Sequence, residues 1–121
     1  MSGTVADLLL DTDVLIDHLR GARRLDVGKD DPSYSVITRT ELFAGRSSEE
    51  GAVGRLLAPF RELQVDRPVA ELAGRLRREH GVRIADALIA GTALVHGLVL
   101  VTRNLKDFEL VPRLKVRAPA P

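Results

Sequence analysis

The chain has 121 residues, which is enough for one hydrophobic core and too few for two domains of ordinary size. Its 18 basic residues are nearly matched by 17 acidic ones, which argues against a protein that holds nucleic acid by bulk charge alone. The absence of Cys excludes disulfides, zinc thiolates and a thiol nucleophile. The N-terminus lacks the features of a signal peptide, and we expect a cytoplasmic protein. From the length we expect a single domain over residues 1–121, with a Pro-rich end frayed at 117–121.

The first half of the chain alternates between predicted strands and helices. Residues 8–10 form a short apolar strand, and VLIDHLRG after it has the spacing of a helix that ends at Gly21. A polar loop at 23–32 leads to a predicted strand over 34–37. The segment TRTELFAG then starts a helix, and 49–60 is predicted to be another, with apolar residues on one face.

The second half continues this alternation and indicates the fold class. A short strand over 63–65 precedes a helix that begins at Pro68 and ends at Gly81. The next helix, from Ile84, is separated at 96–97 from the strand LVLVT, and LKVRAP is predicted to be an edge strand. Such alternation predicts an α/β fold with a mainly parallel sheet covered on both faces, which is a three-layer α/β/α sandwich.

Acidic side chains follow the predicted strands or open the predicted helices. Asp11 follows the first strand, Glu41 comes soon after the second, and Asp86 lies in the first turn of an apolar helix. Asn104 and, three residues later, Asp107 follow the strand LVLVT. Because ligands bind beyond the carboxyl ends of parallel strands, we expect these groups to share one edge of the molecule.

Each of these positions also has a purely structural interpretation. Thr38 with Glu41 spells a T-x-x-E capping box, and Asp86 would complement the dipole of its helix. Asn104 with Asp107 could cap a short helix. Taken singly, capping is favoured over chemistry at each position, whereas the four positions together favour chemistry.

The crowding of carboxylates predicts a bound cation. Asp13 and Asp17 follow Asp11 so closely that capping alone does not explain the first acid. Carboxylates crowded at one edge raise one another's pKa values unless a cation offsets their charge. Oxygen ligands without His or Cys suit Mg²⁺ or Mn²⁺, and the three histidines are interpreted as surface or packing residues.

Four segments, in this order and spacing, resemble the PIN-domain ribonucleases, and most closely the VapC toxins of bacterial type II toxin–antitoxin systems. The segments are LLLDTDVLIDHLRG, SVITRTELFAG, RIADALIAGTAL and LVLVTRNLKDF. The resemblance covers nearly the whole chain. It implies an α/β/α endoribonuclease that hydrolyses RNA with Mg²⁺ or Mn²⁺, forms a homodimer and is neutralised by a small VapB-like antitoxin.

The resemblance also implies roles for individual residues. Asp11, Glu41 and Asp86 match the three acids of the family that bind metal and take part in catalysis. Many members have Asp where this sequence has Asn104, so either Asn104 or Asp107 is implied as the fourth site group. Asp13 and Thr102 are expected in the outer shell of the site, and three arginines flank the motifs as expected RNA contacts: Arg39, Arg83 and Arg103.

Other readings stay open at this point. The sequence LLLDTDVL also fits the D-x-D motif of haloacid-dehalogenase-like phosphatases, although the later Lys and acid pair of that family are poorly matched. A response-regulator receiver would need an Asp after a central strand, and the only Asp between Asp31 and Asp86 is Asp66, which leads into Pro68. A PIN-like protein that binds a partner without catalysis is the third alternative, because Asn104 brings no charge.

Overall fold

The computed structural model describes residues 5–45 and 49–120, in which five strands alternate with six helices. In chain order they are β1 (Asp7–Leu10), α1 (Thr12–Leu19), β2 (Asp31–Ser35), α2 (Val36–Ala44), α3 (Glu50–Leu57), β3 (Arg61–Leu63), α4 (Arg67–His80), α5 (Ile84–His96), β4 (Val99–Val101), α6 (Leu105–Phe108) and β5 (Val116–Arg117). Among these residues, no helix has the length and apolar character needed to cross a bilayer.

All five strands lie in one sheet, in the order β3-β2-β1-β4-β5, and every pair is parallel. The central strand β1 is covered on both faces, because Leu8 and Leu10 pack with α1, α2 and α3 while Leu9 packs with α4 and α5. The predicted three-layer α/β/α sandwich is therefore confirmed. The order also sets the end of β1 next to the end of β4, where the predicted acids lie.

The boundary between β2 and α2 differs from the prediction over 34–37. β2 ends at Ser35, whose hydroxyl accepts a hydrogen bond from the Ile37 N–H at 3.0 Å and so caps α2. The β-branched residues after Ser35 resemble a strand in sequence but form the first turn of α2. Thr38 is therefore inside the helix, and the predicted capping box of Thr38 with Glu41 is wrong.

The remaining elements differ from their predictions by a few residues. α1 begins at Thr12, earlier than predicted, and β3 lies two residues before the predicted strand at 63–65. α4 has Asp66 as its N-cap, and Gly81 ends it in the left-handed conformation, as the Pro68 and Gly81 signals predicted. Within the end predicted to fray, Arg117 belongs to β5, and Pro121 lies outside the described residues.

Gly91 lets α5 lie close against α4. A Cβ atom at Gly91 would lie 3.2 Å from the Val69 carbonyl oxygen, whereas a Cβ atom at Gly74 on α4 would meet nothing within 4 Å. We expect Gly91→Val to lower the free energy of unfolding by about 1–3 kcal/mol, because the backbone of α4 cannot easily move away. Gly74→Ala should raise it by roughly 0.5–1 kcal/mol. Chemical denaturation measures both, and equal effects would contradict the close packing.

Candidate active site

Asp11 lies at the centre of the carboxyl edge of the sheet. It follows β1 directly and is the N-cap of α1, with its Oδ1 atom accepting a hydrogen bond from the Thr12 N–H at 2.8 Å. Its Oδ2 atom accepts from the Thr102 hydroxyl, also at 2.8 Å, and Thr102 follows the neighbouring strand β4. Since only 8% of Asp11 is exposed, these two contacts hold the carboxylate in one orientation.

Asp13 connects α1 to the turn that follows β4. Its Oδ2 atom accepts hydrogen bonds from the Asn104 side-chain amide at 2.8 Å and from the Arg103 N–H at 3.1 Å, and it lies 3.3 Å from the Thr102 hydroxyl. One helical turn later, the buried Asp17 accepts a hydrogen bond from the Arg103 guanidinium at 2.7 Å. Two carboxylates of α1 therefore hold the turn at 102–104.

Glu41 reaches the same edge from α2. Its Oε1 atom accepts a hydrogen bond from the Thr12 hydroxyl at 2.6 Å, and the Thr38 hydroxyl lies 2.9 Å from that of Thr12. Thr12 and Thr38 were not predicted as site residues. The signal in the sequence was the Thr directly after Asp11, which could have been recognised as a polar contact for another acid of the edge.

The pKa values of Asp11 and Asp86 are raised by burial and by the charges of neighbouring acids. Burial, followed by the charge of Asp13 and with a smaller effect of Asp86, raises the pKa of Asp11 to about 7. Burial also raises the pKa of Asp86, which the nearby charges of Asp107 and Glu41 raise further. The residues predicted from β1, α2, α5 and α6 therefore influence one another at a single edge.

The donor set suits a divalent cation. No group of three or more His, Asp or Glu side chains in 5–45 and 49–120 is already assembled as a metal-binding cluster. The Asp13 Oδ1 atom, however, is buried and has no hydrogen-bond partner among these residues, and Asp11 carries its charge at a cost. Carboxylate oxygens gathered at one edge are the ligands that Mg²⁺ or Mn²⁺ prefers, so the buried Asp11, the half-buried Asp86 and the exposed Glu41 fit this role.

Asn104 and Asp107, the two candidates for the fourth site group, lie at the start of α6. Asn104 is the N-cap of α6, but its side chain donates to Asp13 and makes no capping hydrogen bond, so the predicted side-chain cap is wrong. The Asn104 N–H donates to the Thr102 hydroxyl at 3.0 Å, which ties it to the same cluster. Asp107 is exposed and its charge acts on Asp86. The two residues thus lie beside different acids of the edge.

The three arginines predicted to contact RNA have different surroundings. Arg39 is held by Glu62 and by the Tyr34 hydroxyl, so its guanidinium already has partners. Arg103 pairs with Asp17 but keeps about half of its side chain exposed. Arg83 is exposed at the start of α5, and its charge lowers the pKa of Asp86, which indicates a position next to the acidic edge.

Comparisons with known proteins identify a family and similar chains. The family model described as PIN domain matches residues 8–114. Ribonuclease VapC10 of Mycobacterium tuberculosis is 42% identical over 120 residues, which cover 89% of this chain and 90% of that protein.

Solved structures with the same fold come from toxin–antitoxin complexes. A toxin–antitoxin complex from Klebsiella pneumoniae has a chain that is 34% identical, with a TM-score of 0.77 over 88% of this chain and 93% of that one. DNA-bound VapBC from Salmonella typhimurium has a chain that is 26% identical, with a TM-score of 0.81 over 94% and 98% of the two chains. The similarity therefore extends over nearly the full length in each case.

Proposed function

This chain belongs to the PIN-domain family and, within it, to the VapC ribonucleases, and on that premise we propose that it hydrolyses RNA phosphodiester bonds with Mg²⁺ or Mn²⁺ as the toxin of a toxin–antitoxin pair. The observation that carries the proposal is the buried Asp11, which shares the carboxyl edge with the other acids and is charged only at a cost. A phosphatase of the haloacid-dehalogenase type is not retained, because the PIN family model spans residues 8–114.

In the proposed mechanism, Asp11, Glu41 and Asp86 would hold the metal ion. When bound, a divalent cation lowers the pKa of a water molecule and stabilises negative charge on the phosphate. Thr102 and Thr12 keep the carboxylates of Asp11 and Glu41 in place through their hydroxyl groups. Either Glu41 or Asp107 takes the proton of the attacking water.

RNA reaches this acidic edge with the help of the arginines beside it. Arg83 is the strongest candidate for a phosphate contact, because it is exposed and next to Asp86. Arg103 is the second, with its guanidinium partly exposed beside Asp17. Arg39 contributes less, since its guanidinium is engaged by Glu62 and Tyr34.

We expect changes at Asp107 and Asn104 to affect cleavage differently. Asp107→Ala should reduce the cleavage rate about 100-fold if its carboxylate accepts the proton of water. Asn104→Ala should reduce it roughly tenfold, because it removes the side-chain amide that donates to Asp13. Single-turnover cleavage of one RNA oligonucleotide compares the two variants. If both variants cleave at the rate of the parent protein, neither Asn104 nor Asp107 takes part in the mechanism.

The protein partners are a small antitoxin and a second copy of the chain. A hollow between α1 and α3, lined by Leu19, Leu25, Leu56 and Phe60 among others, supports an amphipathic antitoxin segment as its occupant. Val53 and Leu57 of α3, by contrast, are buried in the core.

For the homodimer we propose the face of α4, α5 and 110–113, where a second hollow is lined by Leu72, Leu76, Leu94, Pro112 and Arg113. Light scattering should therefore give twice the mass of the chain.

The activity is tested with purified protein and short RNA and DNA oligonucleotides of the same sequence. We expect RNA cleavage with Mg²⁺ or Mn²⁺, loss of cleavage with EDTA, and recovery when the metal is returned. Asp86→Asn, which removes one proposed metal ligand, should be inactive under the same conditions. Full cleavage by Asp86→Asn, or cleavage that EDTA does not affect, would contradict the proposed site.

A second candidate is a PIN-like protein that binds its partner without catalysis. The observation in its favour is Asn104, an uncharged amide at a position where the family resemblance implies an acid. Calorimetric titration with Mn²⁺ distinguishes the two candidates. Binding that disappears in Asp11→Asn supports the enzyme, and the absence of any carboxylate-dependent binding supports the inactive protein.

A further inference from the structure

The two carboxylate oxygens of Asp13 have opposite surroundings. Oδ2 is surrounded by three donors, which are the Asn104 amide, the Arg103 N–H and the Thr102 hydroxyl. Oδ1 is buried and has no hydrogen-bond partner among the described residues, in a side chain that is only 8% exposed. A buried oxygen of this kind costs free energy unless a water molecule or a cation completes its coordination.

The free oxygen belongs to the acidic edge. Asp13 is two residues from Asp11. The hydroxyl of Thr102 is within hydrogen-bonding distance of both carboxylates, at 2.8 Å from Asp11 and 3.3 Å from Asp13. A hydroxyl donates one hydrogen bond at a time, so Thr102 donates to Asp11 at the shorter distance, and Asp13 Oδ2 keeps the Asn104 amide and the Arg103 N–H as its donors. None of these donors reaches Asp13 Oδ1, so this buried oxygen is the one whose coordination a cation or a water molecule would complete.

We propose that Asp13 is a positioning residue with two tasks: Oδ2 orients the Asn104 side chain, and Oδ1 supplies a further oxygen for the metal ion or for one of its water molecules. This inference rests on the proposed metal-dependent cleavage and adds Asp13 to the groups that support it. The residue is thus more than an anchor of the turn at 102–104.

The orientation of Asn104 follows from the chemistry of its partner. A carboxylate only accepts hydrogen bonds, so the Asn104 amide must turn its NH₂ group toward Asp13 Oδ2. Because the amide is planar, the Asn104 Oδ1 atom then faces away from Asp13. Asn104 therefore presents an acceptor to a water molecule or an RNA hydroxyl, and its orientation is maintained by the charge of Asp13.

The decisive variant is Asp13→Asn, because an amide can replace one task of Asp13 and not the other. Its oxygen can still accept from Arg103 and Asn104, so the turn at 102–104 is kept. Its NH₂ group then occupies the place of the free oxygen and repels a cation. We expect Mn²⁺ affinity, measured by calorimetry at pH 7.5, to fall at least tenfold while the midpoint of thermal unfolding in EDTA does not decrease.

Asp17→Asn is the matched control, since it makes the same change one turn later on α1, where the carboxylate binds the Arg103 guanidinium. Its Mn²⁺ affinity should stay within threefold of the parent value. Should Asp13→Asn fail to fold, Asp13→Ser takes its place, because a hydroxyl can still accept a hydrogen bond from the Arg103 N–H.

The outcomes separate this inference from the proposed function. If the parent protein binds Mn²⁺ and cleaves RNA, and Asp11→Asn loses both, the proposed function stands. Under those conditions, Mn²⁺ affinity in Asp13→Asn within threefold of the parent value would overturn the role assigned to Asp13. A parent protein without Mn²⁺ binding or RNA cleavage would instead overturn the proposed function.

Discussion

Asp11→Asn is expected to abolish RNA cleavage and, in the same protein, to raise the stability of the metal-free fold at pH 8. The amide keeps the shape of the side chain and can accept the hydrogen bond from either Thr12 or Thr102. It also removes a buried carboxyl group. Burial and the charge of Asp13 raise the pKa of this group to about 7. The gain in the free energy of unfolding should be on the order of 2–4 kcal/mol at pH 8, because ionisation of Asp11 is no longer required.

The two effects are measured with separate assays. Cleavage of an RNA oligonucleotide in Mn²⁺ should fall about 100-fold or more, since a proposed metal ligand is lost. The midpoint of thermal unfolding in EDTA should rise by roughly 5 °C or more. Asp7→Asn, an exposed carboxylate at the start of the same strand, is the control and should change neither quantity. An Asp11→Asn protein that is less stable in EDTA would contradict the cost inferred for the buried charge of Asp11.

The stability of the metal-free protein is expected to fall as the pH rises from 5 to 8. The pKa of Asp11 is about 7 in the folded protein and 3.8 in the absence of its surroundings, so the folded state holds a proton that the unfolded state has already lost. The stabilising contribution is therefore present at low pH and is lost as the pH rises through 7. Asp13 and Asp86, whose pKa values are also raised by burial, act in the same direction.

Other carboxylates act outside this range of pH. A backbone hydrogen bond from Ala6 lowers the pKa of Asp30, and the Arg39 guanidinium lowers that of Glu62. Groups of this kind lose their contribution only as the pH falls below the unfolded value of about 4. The decrease between pH 5 and 8 should therefore report on the acidic edge.

Thermal unfolding at pH 5.5, 7.0 and 8.0, in EDTA and in Mn²⁺, tests this dependence. In EDTA the midpoint should decrease with pH in the parent protein and change much less in Asp11→Asn. Added Mn²⁺ should stabilise the parent protein most at pH 8, because the metal ion binds the ionised carboxylates. A midpoint in EDTA that rises steadily from pH 5.5 to 8.0 would refute the assignment of raised pKa values to this cluster.

Local patterns in the sequence were sufficient to predict the fold and the place of two candidate site residues in it. The spacing of apolar residues differs between strands and helices, so both kinds of element could be recognised. Their alternation predicted a parallel sheet covered by helices, because each element must bury its apolar face. The sheet then implied that Asp11, which follows β1, would lie at the carboxyl edge. Asp86 was found from the same kind of pattern, as a single acid in the first turn of an otherwise apolar α5.

Only the tertiary structure decided how the side chains of the edge pair. The Asn104 amide binds Asp13, 91 residues earlier in the chain, and Glu41 binds Thr12, 29 residues away. Arg39 binds Glu62 and so has less freedom to contact RNA. These choices could not be read from the sequence, because each polar group had a plausible partner nearby in the chain. The parallel register of β1 and β4 brings distant donors closer than those local partners, and burial then favours the pairs that satisfy the most hydrogen bonds.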